Sequence, residues 1–482
     1  MADSMWPFLP VLGCARHTGL AMSSTVIDLK APPHDGLPPS ARLRAMTALA
    51  MAVLLSVMDY TVANIATPDI AHDIHASNAG AIWIINAYQL ANLVSLLPVA
   101  TLGEKFGHAR MCRFGLVVFV IASLFCAMSH TLPELAIARA VQGVGGACIL
   151  GVNAALLRHI YPASQLGRGI ALNGLIIASG VAIGPSVAAA VLFFASWQWL
   201  FLINLPFGAV AFYFAVTALP KTPRTDVKLD IWGAGLLAIA LACIVIGGDH
   251  FAQGGTWQTS TLLVVAGCVF LAMLVWVQLG RQTPLLPVDL LAKPGFSIAF
   301  ATGFLSFVAS NFFMVSMPFN LTDVLHRSPV ETGLIITAWP VAIVLTSPLV
   351  GRLADRYPAS LLSTVGMVIC GTGFLLLRLL PLAPSDIDIA WRIAVAGLGF
   401  SMLQPPNNKS MLLAAPKNRI SGASGMISVS RLSGQTIGGM LVALTLGLAH
   451  PAPTQTCLTF AALVAYIAAG LSASRVLAGR AD

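Results

Sequence analysis

Arg139-Ala140-Val141-Gln142-Gly143-Val144-Gly145-Gly146-Ala147 sits inside Leu135–Leu157, an apolar run long enough to cross a bilayer. An arginine in such a run is costly, faces protein rather than lipid, and marks a functional site with a partner. On a helix, Arg139, Gln142, Gly143 and Gly146 share one face, at i, i+3, i+4 and i+7. Charge and amide therefore point the same way as two glycines that let another helix approach. The partner on offer is Asp59, the one carboxylate placed deep in any apolar run. Burial disfavours a charged carboxylate and a nearby cation favours it, a balance that lets an acid load a proton on one side and lose it on the other. Asp59 and Arg139 are thus the candidate proton-coupling pair, expected to meet at a common cavity that opens to either side. The plainer alternative is an acid and an arginine that only tie helices together.

Composition sets the class. The 482 residues are 57% hydrophobic and only 9% charged, with mean hydropathy +0.85, against roughly 25% charged residues in soluble chains. Such a chain is an all-α polytopic membrane protein, because helices satisfy their own backbone hydrogen bonds in lipid. Fourteen apolar runs succeed one another, from 44–68 to 456–475. If the N-terminal tail is cytoplasmic, alternate connections gather most of the basic residues: Lys105, Arg110 and Arg113; Arg158 and Arg168; Lys221, Arg224 and Lys228; Arg281 and Lys293; Arg352 and Arg356; Lys417 and Arg419. That bias places both termini inside. It also accounts for the +8 net charge without any nucleic-acid partner.

An internal repeat divides the runs. Leu102-Gly103-Glu104-Lys105-Phe106-Gly107-His108-Ala109-Arg110 follows the second run, and Gly351-Arg352-Leu353-Ala354-Asp355-Arg356-Tyr357 follows the tenth. Acid, base and aromatic stand in register at an offset of eight runs, as two six-span halves with two spans between them would give. Parallel halves of this kind are a secondary-transporter plan with the binding site between them. The expected organisation is a disordered cytoplasmic tail (1–43), a six-helix bundle (44–219), a linker (220–230), a two-helix insert (231–280), a second linker (281–296), a second six-helix bundle (297–475) and a short cytoplasmic tail (476–482). The insert carries few polar residues and reads as a lipid-facing accessory. Gly103, Glu104, Lys105, Gly107 and Arg110, with Asp355 and Arg356, form the candidate gating loops, because orientation alone needs only Lys and Arg. Gly180, Gly184 and Pro185 in the fifth run read as a close helix contact between the halves.

Polar residues inside the runs are candidates for lining the cavity: Tyr88, Gln89 and Asn92, Gln142, Asn311, Gln404, Asn407, Asn408 and Arg431. Pro405-Pro406 is expected to break its helix. Trp83, Phe312, Phe313, Met314 and Trp339 are candidate wall residues for a lipophilic ligand. No GxxxxGK[ST] loop is present, so ATP is not the expected driving force. The eight cysteines show no CxxC or Cys/His spacing, and there is no HExxH, no paired intramembrane aspartates and no Ser/His set. Neither metal, cofactor nor enzyme activity is expected.

Four stretches resemble the major facilitator superfamily, and within it the fourteen-span drug:proton antiporters. Asp59-Tyr60-Thr61-Val62-Ala63-Asn64-Ile65-Ala66-Thr67-Pro68 is similar to the family's D-x-T-(x)2-N-x-A-x-P. Leu102–Arg110 is similar to its loop motif, with Ala100 for Gly and Glu104 for Asp. Leu135-(x)3-Arg139-(x)2-Gln142-Gly143-x-Gly145 is similar to its fourth-span motif. Gly180-(x)3-Gly184-Pro185 is similar to its antiporter motif, ending here in Ala188-Ala189. Trp197 to Pro206 matches more weakly, with Gln198 where Arg is usual. The resemblance implies the major facilitator fold, two six-helix bundles plus a two-helix insert, in a bacterial inner membrane. It implies efflux of small lipophilic, cationic drugs in exchange for protons by alternating access, with substrate, protons and the lipid bilayer as the only partners. Two other readings stand beside it: an exporter of one endogenous metabolite or organic anion, and a membrane sensor that transports nothing.

Overall fold

The computed structural model describes residues 36–225, 229–279, 286–354, 356–416, 419–449 and 451–477. Its helices group into fourteen antiparallel rods: α1 (Pro39–Asp73), α2 (Asn78–Phe106), α3 (His108–Met128), α4 (Leu132–Ile160), α5 (Leu166–Phe194), α6 (Gln198–Ala218), α7 (Ile231–Ala252), α8 (Trp257–Leu279), α9 (Pro294–Val324), α10 (Pro329–Ala354), α11 (Ala359–Arg378), α12 (Asp386–Ala414), α13 (Ile420–Leu448) and α14 (Pro453–Leu477). Twelve are long and apolar enough to cross a membrane. The other two, α12 and α13, match them in length but carry more polar residues. Residues 1–35 and Asp355 lie outside the described residues, as do 226–228 in one linker and 280–285 in and beside the other. The first helix begins at Pro39, inside the stretch read as tail.

Local chemistry sets several rod ends. Thr131 and Glu134 form a capping box at the start of α4, and Ser328 and Glu331 do the same for α10. Gly107 ends α2 with φ +102°, a conformation L side chains avoid, and donates its N–H to Gly103 O at 2.9 Å. Pro405 and Pro406 do not break α12, which runs through both as one helix. Freed backbone groups are tolerated in a membrane where neighbouring helices surround them.

Rods α1–α6 and α9–α14 form two bundles. The start of α1, the end of α14 and the α2–α3, α4–α5 and α6–α7 connections lie at one face. There Leu37 N donates to Ile160 O and Thr225 N to Glu104 O, each at 3.0 Å. At the opposite face the halves are joined. Asn78 Nδ2 donates to Asp323 Oδ2 at 2.8 Å, and Ser186 and Thr337 share a hydrogen bond of 3.1 Å. One apolar core crosses the boundary there, with Ile65, Ile70 and Ile82 from the first half and Phe312, Ile335 and Val442 from the second.

The insert is not simply an accessory. Helix α8 does lie outermost, with Leu262, Val265, Val269 and Trp276 exposed. Helix α7 instead wedges between the halves. A Cβ on Gly248 would stand 2.5 Å from Met440 Sδ of α13, and Asp249 accepts a hydrogen bond from Trp83 of α2. Small residues allow this approach, which a count of polar residues does not reveal.

Glycines set the tightest crossings within the first half. A Cβ on Gly143 would stand 2.3 Å from the carbonyl oxygen of Tyr88. Around Gly174 nothing lies within 4 Å. Gly143→Ala is therefore expected to destabilise the protein by about 1–3 kcal/mol, as overpacking does. Gly174→Ala should leave stability unchanged or slightly raised. Thermal unfolding of the two purified variants checks this, and equal transition temperatures would refute the crossing geometry.

Candidate functional site

Asp59 on α1 points into the first bundle. Its Oδ2 accepts from Arg139 Nη1 of α4 at 2.5 Å. Oδ1 accepts from Gln142 Nε2 and from Asn204 Nδ2 of α6, each at 2.8 Å. Three donors from two helices thus satisfy the carboxylate in its charged form. Arg139 also donates through Nε to Ile84 O at 3.0 Å and through Nη1 to Gln142 Oε1 at 2.6 Å. Its guanidinium lies 4.5 Å from the Tyr88 ring centre and 5.6 Å from that of Phe201. Nη2 has no hydrogen-bond partner, so those aromatic faces supply the remaining stabilisation. Ser123 of α3 receives Gln142 at 2.8 Å and Asn204 at 3.3 Å. The network ties α1, α3, α4 and α6 together.

The expected pairing of Asp59 with Arg139 is present, but the expected location is not. Asp59 is 3% exposed and Arg139 0%. They lie in the sealed interior of one half rather than at a cavity between halves. Sequence reasoning also missed Asn204 and Ser123. Each is a lone polar residue in an apolar run, a signal too common to single out.

At the boundary between halves stand other candidates. Tyr60, next to Asp59 in the chain, turns the other way and donates to Asn311 Oδ1 of α9 at 2.8 Å. Asn311 Nδ2 donates in turn to Gln435 O at 2.5 Å. The Tyr88 hydroxyl shares a 3.0 Å bond with Ser56 Oγ. Gln89 and Asn92 are buried, with Gln89 Nε2 and Asn92 Oδ1 unpartnered. Arg431 of α13 lies within electrostatic reach of Tyr60 and Tyr88. Among the second half's candidates, Gln404 donates to Ser306 at 3.1 Å and Asn407 to Ala299 O at 2.9 Å. These serve helix packing inside that bundle. Asn408 is half-buried beside them. The proposed aromatic wall is largely core. Phe313 and Trp339 stack at 5.0 Å and Phe313 and Phe374 at 5.6 Å, well inside the second half.

A cleft of about 580 Å³ opens between the halves at the face bearing the termini, lined by residues of α2, α4 and α13. Glu104 is at its mouth, with His108, Arg158, His159 and Arg419. In the candidate gating loop, the Glu104 carbonyl oxygen receives Thr225 N at 3.0 Å. No ion pair joins Glu104 to Lys105 or Arg110 among the described residues, and Lys105, Arg110 and Arg356 are exposed. Gly103 is packed against His108 and Val152. In α5, Gly180 and Gly184 face Leu54, Val57 and Thr61 of α1, inside their own half. Pro185 makes the contact between halves: its carbonyl oxygen would be 2.7 Å from a Cβ on Gly333 of α10.

Comparison with known proteins agrees with this architecture. The chain is 43% identical over 451 residues to the uncharacterized transporter YebQ of Escherichia coli, covering 92% of this chain and 97% of that one. It is 26% identical over 421 residues to the multidrug export protein EmrB of Haemophilus influenzae, covering 86% and 81%. A solved POT family transporter in complex with a thioalcohol-conjugated peptide has the same fold, with TM-score 0.72 at 14% identity over 90% of this chain and 96% of that one. The family model described as Major Facilitator Superfamily matches residues 49–291 and 299–478, and the chain belongs to that superfamily of membrane transporters.

Proposed function

We propose that the protein is a proton-coupled antiporter of the bacterial inner membrane that exports small lipophilic compounds, with Asp59 as the proton carrier. The observation that carries this reading is the Asp59–Arg139–Gln142–Asn204 network, a charged pair held inside one bundle with alternative partners in place. Protonation of Asp59 removes one charge of the pair. Arg139 keeps Gln142 Oε1, Ile84 O and the Tyr88 ring, so it remains held when the carboxylate lets go. The network thus has two arrangements, which is what a coupling element needs. The distribution of basic residues supports a cytoplasmic location for both termini. The cleft then opens inward and the joined face outward, an inward-open form ready to load substrate. The name of the multidrug relative supports export of drug-like compounds.

The charge of the substrate is open to two readings. A cation would need a carboxylate at the boundary between halves. Among the described residues, the acids there are Asp249, held by Trp83 and Gln253, Asp323 near the joined face, and Glu104 and Asp289 at the mouth. Arg431, at mid-depth, favours the organic anion.

In everted vesicles holding a proton gradient, adding substrate from a panel of lipophilic cations, organic anions and neutral drugs should discharge the gradient. Asp59→Asn should abolish that response while the protein still inserts. If wild type and variant respond alike to the same solutes, Asp59 is not the coupling residue. Breaking the pair from the other side leaves a buried unpaired carboxylate. Arg139→Ala should therefore cost about 3–5 kcal/mol, and Asn204→Leu about 1–3 kcal/mol. Thermal or chemical unfolding measures both. An Asn204→Leu protein of unchanged stability and flux would remove Asn204 from the network.

A further inference from the structure

Arg431 is a second cation in the membrane interior, and its setting differs from that of Arg139. It has no ion-pair or hydrogen-bond partner among the described residues. On α13, Ser424, Ser428 and Arg431 follow one another at i, i+4 and i+7, so they share a helix face. Ser424 and Ser428 line the cleft between the halves, and Arg431 stands one turn deeper on that wall. Tyr60 and Tyr88 lie within its electrostatic reach. The buried amides of Asn86, Gln89 and Asn92 belong to the same helix as Tyr88, and Asn86 Nδ2 and Oδ1, Gln89 Nε2 and Asn92 Oδ1 have no hydrogen-bond partner. Further toward the joined face the way is shut: a Cβ on Gly439 would collide with Asn86, and Tyr60 bonds Asn311. The dead end of the cleft therefore holds a positive charge that no acid among the described residues pairs with, with unsatisfied amides sealed behind it.

Its mouth is balanced: Arg158 stands with Glu104, and Arg419 is shared with Asp289 at 2.9 Å, beside His108 and His159. The charge that distinguishes this cleft is therefore Arg431, set deeper between low-dielectric walls. An uncompensated cation at membrane depth is costly, and an arriving anion offsets that cost.

We infer that Arg431 is the docking point for the anionic group, a carboxylate or sulfonate, of a small amphipathic substrate that enters by this cleft. Guanidinium geometry suits two-point binding of such groups. This deepens the transport reading and rests on it, but the site is a binding site whether or not transport is proton-coupled. A lipophilic cation, the expectation from family resemblance, would meet Arg431 at the dead end of this cleft.

The test uses full-length protein in nanodiscs with Ser428→Cys, one turn below Arg431. The new thiol is labelled with 2-sulfonatoethyl methanethiosulfonate and followed on its peptide by mass spectrometry, which separates it from the native cysteines. Bound 2-naphthoate should slow labelling, while 2-naphthamide, with the same rings and no charge, and the cation tetraphenylphosphonium should not. Adding Arg431→Gln should weaken the apparent affinity for naphthoate at least about tenfold, the loss of one charge-assisted contact, and Arg431→Lys should retain most of it. Asp59→Asn should keep this protection while losing coupled flux, so failure of anion binding and failure of proton coupling are read separately. Protection by tetraphenylphosphonium equal to that by naphthoate overturns the inference. So does naphthoate protection unchanged by Arg431→Gln, no protection by naphthoate at all, or a thiol at 428 that does not react. If Arg431→Gln does not fold, the selectivity seen with Arg431 in place decides between anion and cation.

Discussion

The cost of a charge away from water governs the first half of this molecule. A carboxylate and a guanidinium lie inside one bundle, and the surrounding residue choices make that tolerable. Asp59 has three donors, and Arg139 has a carbonyl, an amide oxygen and two aromatic faces. Gly143 and Gly146 let α4 close on α2 so that Ile84 and Tyr88 reach Arg139. Asn204 brings in α6 and Ser123 brings in α3. Packing and chemistry are thus one arrangement, because loosening the helices strands a charge.

The second half shows what the same plan looks like without that constraint. By the eight-helix offset of the loop motif, α9, α11 and α12 correspond to α1, α3 and α4. Where the first half has Asp59, Ser123 and Arg139 at its centre, the second has Phe313, Phe374 and Phe400 gathered around Trp339 of α10. Stacked rings at 5.0–5.9 Å need no partners beyond one another. The buried acid–base pair therefore belongs to one half, and the corresponding place in the other is filled by aromatic packing. Arg431 stands apart from this core, at the boundary.

How far the sequence disclosed this follows from how rare each signal is. Two opposite charges in apolar runs are so unusual that Asp59 and Arg139 found each other without coordinates. Twelve of the fourteen rods are equally plain from length and hydropathy, while α12 and α13 carry more polar residues and are fainter by that measure. What stayed hidden was direction. Nothing in the order Asp59-Tyr60 says that one side chain enters the bundle and the other leaves it. A lone Asn204 or Ser123 reads like any other polar residue in a span. Pro405-Pro406 read as a break, because a proline rule derived for exposed helices overlooks the support that neighbouring helices give. The wedge role of α7 was illegible for a related reason: Gly247 and Gly248 look inert until a second helix is seen against them.

That difference in direction bears on how the proposed proton site and the proposed substrate cleft can communicate. Asp59 and Tyr60 are adjacent on α1, so a turn of the helix that frees the carboxylate also moves the hydroxyl bonded to Asn311 of the other half. Tyr88 lies between the two arginines, its ring under Arg139 and its position within electrostatic reach of Arg431. In the proposed cycle, protonating Asp59 leaves Arg139 unbalanced, and the field of that cation then extends past Tyr88 toward the cleft. That field alone favours an anion at Arg431, the sign of co-transport, so exchange requires protonation of Asp59 to disturb the cleft by another route. The adjacency of Asp59 and Tyr60 on the continuous helix α1 offers one, because a movement that releases the carboxylate also strains the Tyr60–Asn311 bond between the halves.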